Sequence, residues 1–158
     1  MTTSRDDLLD LSDYAWQRLR DRMTGLTDAE YRWKPVDSSA VTALPWRLNH
    51  IADFLTEDRN AVWLGLPATE VERDGEPDTA AAALAALEAA YASWRALLDA
   101  STEDGLAAPI GKPAGRYGTA TRRSFVLHIL DELIHHGAEA ALLRDLYATT
   151  VQSVVDGS

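Results

Sequence analysis

A chain of 158 residues is the size of one ordinary domain, long enough to bury a core without covalent staples. It contains no cysteine, which excludes disulfides, zinc-thiolate sites and a cysteine nucleophile, so any sulfur chemistry would need an external thiol. The net charge of -10 argues against sequence-independent binding to nucleic acid, which depends on Lys and Arg neutralising phosphates.

The opening Met-Thr-Thr-Ser-Arg-Asp-Asp lacks the basic and then apolar blocks of a secretory signal, and no apolar run approaches the roughly 20 residues of a membrane span. These features predict a soluble, cytoplasmic protein with no membrane partner. Arginine far outnumbers lysine, present only as Lys34 and Lys112, and alanine is abundant, the coding bias of a high-GC bacterium.

In chain order, Leu8, Leu11, Ala15, Leu19 and Met23 recur at helical spacing and predict a first helix from about Arg5 to Met23, stopped by Gly25 and Thr27-Asp28. Tyr31 to Ser39, with Pro35 inside it, is too rich in turn formers for a long helix. The second predicted helix runs from about Leu44 to Leu66, with Pro45 in its first turn and Pro67 ending it. An acidic linker, Glu70 to Asp78, leads to a third helix from about Thr79 to Ala100, with Asp78 or Thr79 as N-cap and Leu84, Leu87, Tyr91, Trp94 and Leu98 as its apolar stripe. Residues 101–120 hold four glycines and two prolines, which predict a long loop of the kind that often serves as a lid. A fourth helix should run from about Thr121 to Tyr147, with a fraying polar tail after Ala148 in which Val151, Val154 and Val155 can pack on the bundle. No stretch alternates as a strand does. The whole chain reads as a single all-α domain, a four-helix bundle, whose core is a usual place for a metal held between facing helices.

The segment His128-Ile-Leu-Asp-Glu132-Leu-Ile-His-His136 carries the chemistry. His128, Glu132 and His136 stand at steps of four, on one line of a helix and about 6 Å apart. Two of them can converge on one divalent cation if another helix supplies a third ligand, and His50 is the remaining histidine able to do so. Phe125, Ile129, Leu133 and Leu142 flank this line, which places it near the buried face. Buried imidazoles and carboxylates need partners, and a shared metal ion would satisfy all of them together. The spacing leaves His128 with Glu132, and Glu132 with His136, both open; Asp131 with His135 is a third pair on another face.

The opening helix, the Leu26-Thr-Asp-Ala-Glu-Tyr-Arg-Trp-Lys-Pro35 stretch, Trp46 followed by Leu48-Asn-His50-Ile-Ala, and His128-x-x-x-Glu132-x-x-x-His136-Gly137 leading to Leu142-Leu-Arg144 together resemble the DinB-like four-helix metalloproteins over nearly the whole chain. The resemblance implies up-down-down-up connectivity, a homodimer, and a divalent metal, zinc or nickel, held by three side chains. The common family ligands are one histidine from the second helix and an H-x-x-x-H pair from the fourth. Here His50 and His136 match, but Glu132 stands where the family has a histidine, a departure similar to the mycothiol-dependent maleylpyruvate isomerase branch. The ligand set the resemblance implies is therefore His50, Glu132 and His136, with Gly137 where the family has a small residue.

Relatives of this kind imply an enzyme that uses a low-molecular-weight thiol such as mycothiol on a small electrophile, in S-transfer or isomerisation. Asp53 and Glu139, each three residues from a ligand position, are candidates to orient an imidazole. Arg144, Tyr117 and Arg123 are candidates for binding the cofactor or an anionic substrate, Arg144 through a bidentate carboxylate contact. Two other readings stay open: a non-catalytic metal- or ligand-binding stress-response protein, and a metal-dependent hydrolase with Glu57 or Asp131 as general base. The loop from Ala107 to Thr121 is expected to border the open side of the site, with the Trp33 to Ser39 connection as the other possible entrance.

Overall fold

The computed structural model describes residues 3–35, 43–68 and 75–156, with side chains as far as residue 151. Four long helices and three short ones make up the fold: α1 (Ser4–Met23), α2 (Asp28–Arg32), α3 (Leu44–Thr56), α4 (Arg59–Trp63), α5 (Ala80–Ala100), α6 (Glu103–Ala107) and α7 (Arg122–Asp156). A 3-10 turn covers Lys112–Tyr117, and an isolated antiparallel bridge joins Pro109 to Thr121; the described residues contain no longer strand pairing. None of the described helices is long and apolar enough to cross a membrane.

Local chemistry fixes most of the helix starts. Thr3 accepts a hydrogen bond from the Asp6 amide while the Asp6 carboxylate accepts from the Thr3 amide, so two orphan donors of α1 are satisfied reciprocally. Thr79 caps α5 through the Ala82 amide, as the sequence predicts. Thr27 and Glu30 form the same box at α2, a single-turn helix within a region predicted only as turns. Its Asp28 accepts from the Ala80 amide at 2.8 Å, and Tyr31 donates to the Pro77 carbonyl at 2.9 Å, so α2 fastens the start of α5.

Cross-helix contacts set the directions. Arg20 pairs with Glu88 and Arg95 with Asp13, so α5 runs against α1. Arg47 meets Glu139 and His50 meets His136, so α3 runs against α7. Glu103 just after α5 accepts from the start of α1, at Ser4 and the Arg5 amide, and also from Arg123 at the start of α7. At the other end Arg22 donates to Ala141, which sets α1 and α7 parallel. Between them lies an apolar core built on Met23, Leu48, Ile51, Leu55, Leu87, Trp94, Leu130 and Leu133, all essentially inaccessible. Burial of this surface, at about 25 cal/mol per Å², drives the assembly.

Three predicted boundaries change. The second helix does not continue to Leu66: it stops at Thr56 and restarts at Arg59, because the buried Asn60 turns its side-chain amide onto the Phe54 carbonyl at 2.8 Å, replacing a helical partner. The fourth helix does not end at Tyr147 but runs to Asp156, with Tyr147 packed edge-on against Trp33 at 5.7 Å; the side chains of Val154 and Val155 lie outside the described residues. Residues 101–120 contain one short α-helix and the 3-10 turn within the loop. Of the apolar residues flanking the ligand line, Phe125, Ile129 and Leu133 are buried, whereas Leu142 is exposed. Residues 70–74 of the acidic linker and 36–39 of the second candidate entrance lie outside the described residues.

Gly65, after α4, has a φ of +71°, and a Cβ placed there would lie 2.2 Å from the Arg122 guanidinium carbon. The backbone conformation favours glycine, and the Arg122 side chain fills the space a Cβ would take. Gly65→Ala is expected to cost about 1 to 2 kcal/mol, since an L-residue in this region is strained by that amount and Arg122 must also withdraw. A denaturant titration checks it, with an unchanged slope and a lowered midpoint as the expected result.

Candidate metal centre

His50 lies on α3, and Glu132 and His136 lie on α7, one turn apart. One donor atom from each falls within 4.8 Å of the other two. The Nε2 of His136 stands 3.2 Å from a Glu132 oxygen. Tetrahedral ligands about 2.1 Å from a common cation are about 3.4 Å apart, so this pair already has ligand spacing, and the His50 donor lies within 4.8 Å of both. Two imidazoles and one carboxylate suit a borderline divalent cation such as zinc or nickel.

Both imidazoles are held from behind. His136 is buried, and its Nδ1 lies 2.8 Å from a Glu139 oxygen; in the tautomer that donates from Nδ1 to Glu139, the Nε2 lone pair faces Glu132 and is free for a cation. The Arg47 guanidinium binds that same Glu139 oxygen at 2.6 Å, fixing the carboxylate. Trp46 stacks on His50 with ring centroids 4.8 Å apart and planes 17° off parallel, and Arg47 covers the indole at 4.9 Å. Burial, followed by the charges of His136 and Arg47, pushes the His50 pKa below the usual histidine value, against an opposite pull from Glu132 and Glu57. A neutral imidazole is the form that coordinates.

A second group, His135, His136 and Glu139, also has donor atoms within 4.8 Å. Arg47 argues against a cation there, because its Nη1 lies 2.6 Å from Glu139 and 3.4 Å from His136 Nδ1, and a guanidinium already neutralises the carboxylate. His128 is half exposed, 3.9 Å from Glu132 and outside the cluster. Asp131 and His135 are exposed on another face.

The other predicted site residues separate. Arg144 already has a carboxylate within the chain: its Nε and Nη2 donate to Glu30 at 3.0 and 2.8 Å, and Nη1 donates to the carbonyls of Arg22 and Thr24. Its bidentate face thereby joins α7 to α2 and the end of α1. Arg123 is likewise paired, with Glu103, at the start of the helix and two to three turns from the cluster. Tyr117 lines a groove that His128 also lines, and His128 stands 3.9 Å from Glu132, so the loop from Ala107 to Thr121 borders the cluster's surroundings. Asp53 accepts from Asn49 at 3.1 Å. Arg47 and Trp46 went unremarked as supports of the centre, although they stand three and four residues before His50, one helical turn along the same face.

Glu139 is expected to tune the centre. Glu139→Gln removes the charge that holds His136, and metal affinity should fall about 10- to 100-fold while the helical content stays. Competition with a chromophoric chelator measures this directly, and an unchanged affinity would detach Glu139 from the centre.

A helical bundle, as its described residues form, with a His-His-Glu cluster between two antiparallel helices defines a class of helical proteins with a candidate metal site between the helices. The model of the DinB superfamily matches residues 12–140, and the chain belongs to that superfamily. Its fold is similar to the crystal structure of a conserved protein from Enterococcus faecalis, with a TM-score of 0.67 at 19% identity, covering 92% of this chain and 98% of that one. No functionally curated protein matches the chain.

Proposed function

We propose that the protein is a divalent-metal-dependent enzyme that uses a low-molecular-weight thiol of the mycothiol kind to transfer sulfur to, or isomerise, a small electrophile. The observation that carries this reading is the convergence of His50, Glu132 and His136, three donors from two helices within 4.8 Å. Three protein ligands leave a coordination position for an exogenous group, the arrangement of catalytic rather than structural sites. When bound, the metal would supply Lewis acidity, under which a coordinating thiol is held as thiolate at neutral pH.

The chain's own residues do the rest. His50, Glu132 and His136 hold the cation; Glu139 and Arg47 hold His136 from its Nδ1 side; Trp46 and Phe54, against which His50 packs at 4.8 and 5.6 Å, keep that imidazole from rotating and exclude water from its flank. The absence of cysteine makes the sulfur a borrowed one. Glu57, a candidate general base for hydrolysis, is instead paired with Arg59.

The test is elemental analysis of protein purified without a histidine tag, followed by conjugation of monobromobimane with mycothiol after restoring zinc or nickel. Metal-dependent conjugation above the thiol-only rate is the expected result. Turnover of an ester substrate without thiol would identify a hydrolase, and metal binding with no turnover of either kind would leave a binding protein.

A further inference from the structure

We propose that the groove between α4, the 109–121 loop and the first turns of α7 is the binding site for an aromatic carboxylate, a substrate class that the function proposed above leaves unnamed. The groove encloses about 340 Å³, at the lower end of the range of small-molecule sites and enough for two fused rings. Its walls are aromatic: Trp63 meets Phe125 edge-on at 5.0 Å and lies 6.4 Å from the half-exposed Tyr117. A planar ring laid against the Trp63 and Phe125 wall, with Tyr117 at its edge, gains aromatic contact and apolar burial.

The charge at the groove runs against the rest of the molecule. The chain carries 25 acidic residues against 15 basic ones, yet no carboxylate lines this groove, while Arg59 and His128 do. The Arg59 guanidinium lies over the Trp63 ring at 4.9 Å, with Glu57 bound to its Nε at the rim. Arg116 covers the Tyr117 ring at 4.8 Å and donates to its hydroxyl, adding a second cation at the mouth. His128, in the same lining, offers a ring N–H in either protonation state and stands 3.9 Å from Glu132, so the groove borders the candidate metal centre. The lining holds no carboxylate for an aromatic cation, and a carboxylate ligand would share Arg59 with Glu57, an ionic contact that a neutral ring cannot make.

The inference rests on the proposed function for its place beside the centre, but its test does not need the metal. Equilibrium dialysis of 2-naphthoate against both zinc-loaded and EDTA-treated protein should show saturable one-site binding to each. Ser124→Trp, at an exposed position on the groove wall, should weaken it at least about 10-fold, and Tyr117→Ala about 3- to 10-fold, with circular dichroism unchanged. Arg59→Ala should weaken naphthoate about 5-fold and leave the neutral 2-naphthamide unaffected, and naphthamide should bind the unmodified protein more weakly than naphthoate. Non-saturable uptake, equal affinity in folded Ser124→Trp, or equal binding of acid and amide would each overturn the proposal. Naphthoate binding to a protein that takes up no zinc would uphold the groove while removing the metal-dependent function, and zinc uptake without naphthoate binding would do the reverse.

Discussion

Replacing His136 with Ala should reduce bound metal from about one ion per chain to less than about a tenth, because a three-ligand site loses a third of its donors and the most completely held one. His136 combines the functions of the cluster in one ring: its Nε2 faces Glu132 at 3.2 Å, its Nδ1 is fixed by Glu139 at 2.8 Å, and its face meets His50 with centroids 4.6 Å apart. Deleting it leaves His50 and Glu132 on different helices with nothing to align them. His128→Ala, one turn away, removes a half-exposed side chain outside the cluster and should leave metal content nearly unchanged. Elemental analysis of desalted, untagged variants distinguishes the two. Full metal in His136→Ala together with loss in His128→Ala would move the site one turn toward the start of α7. The Glu139 to Arg47 pair survives either change and should keep α3 and α7 docked, so melting curves within a few degrees of the parent would show that metal loss is not unfolding.

The bundle was legible because its long helices carry strong period and clear caps: α1 and α5 start and stop within a residue of the predicted bounds. Along the ligand line, helix geometry alone leaves His128 with Glu132 and Glu132 with His136 equally open, and it is the family resemblance that selects Glu132 with His136. Three things resisted. The break after Thr56 depends on one buried amide, Asn60, reaching back six residues, and hydropathy carries no trace of it. The extension of α7 to Asp156 has little amphipathic signal to announce it, since exposed Leu142, Leu146 and Val151 interrupt the polar face. Long-range charge partners are set only by packing. Arg144 sits at family-like spacing beyond His136 and looks available from sequence, yet its partner is Glu30, 114 positions earlier. Glu30 itself reads as a simple capping-box residue; only the fold reveals that its second oxygen is the far end of a tether.

That tether sets the largest stability effect expected outside the core. Glu30 accepts from the Thr27 amide at 2.8 Å through one oxygen and from Arg144 through the other, and the two side chains are only 11% and 18% exposed. Arg144→Ala would leave a nearly buried carboxylate and two carbonyls, those of Arg22 and Thr24, without these donors. Breaking one side of such a pair costs about 2 to 4 kcal/mol, less than a fully interior ion would and more than a surface bridge. For a domain of this size that corresponds to roughly 4 to 16 °C in melting temperature. Burial alone would raise the Glu30 pKa, but the hydrogen bonds from Thr27 and Arg144 outweigh it and hold the carboxyl below its ordinary value. A depressed folded-state pKa contributes stability that is present above the unfolded value, about 4.3, and is lost as pH falls through the folded value. The gap between parent and Arg144→Ala should therefore be widest near pH 7 and shrink as the pH drops below about 4, without closing, since the guanidinium bonds to the two carbonyls do not titrate. Calorimetric scans of both proteins at several pH values measure it. A gap independent of pH would assign the whole effect to the carbonyl contacts and remove Glu30 from the account.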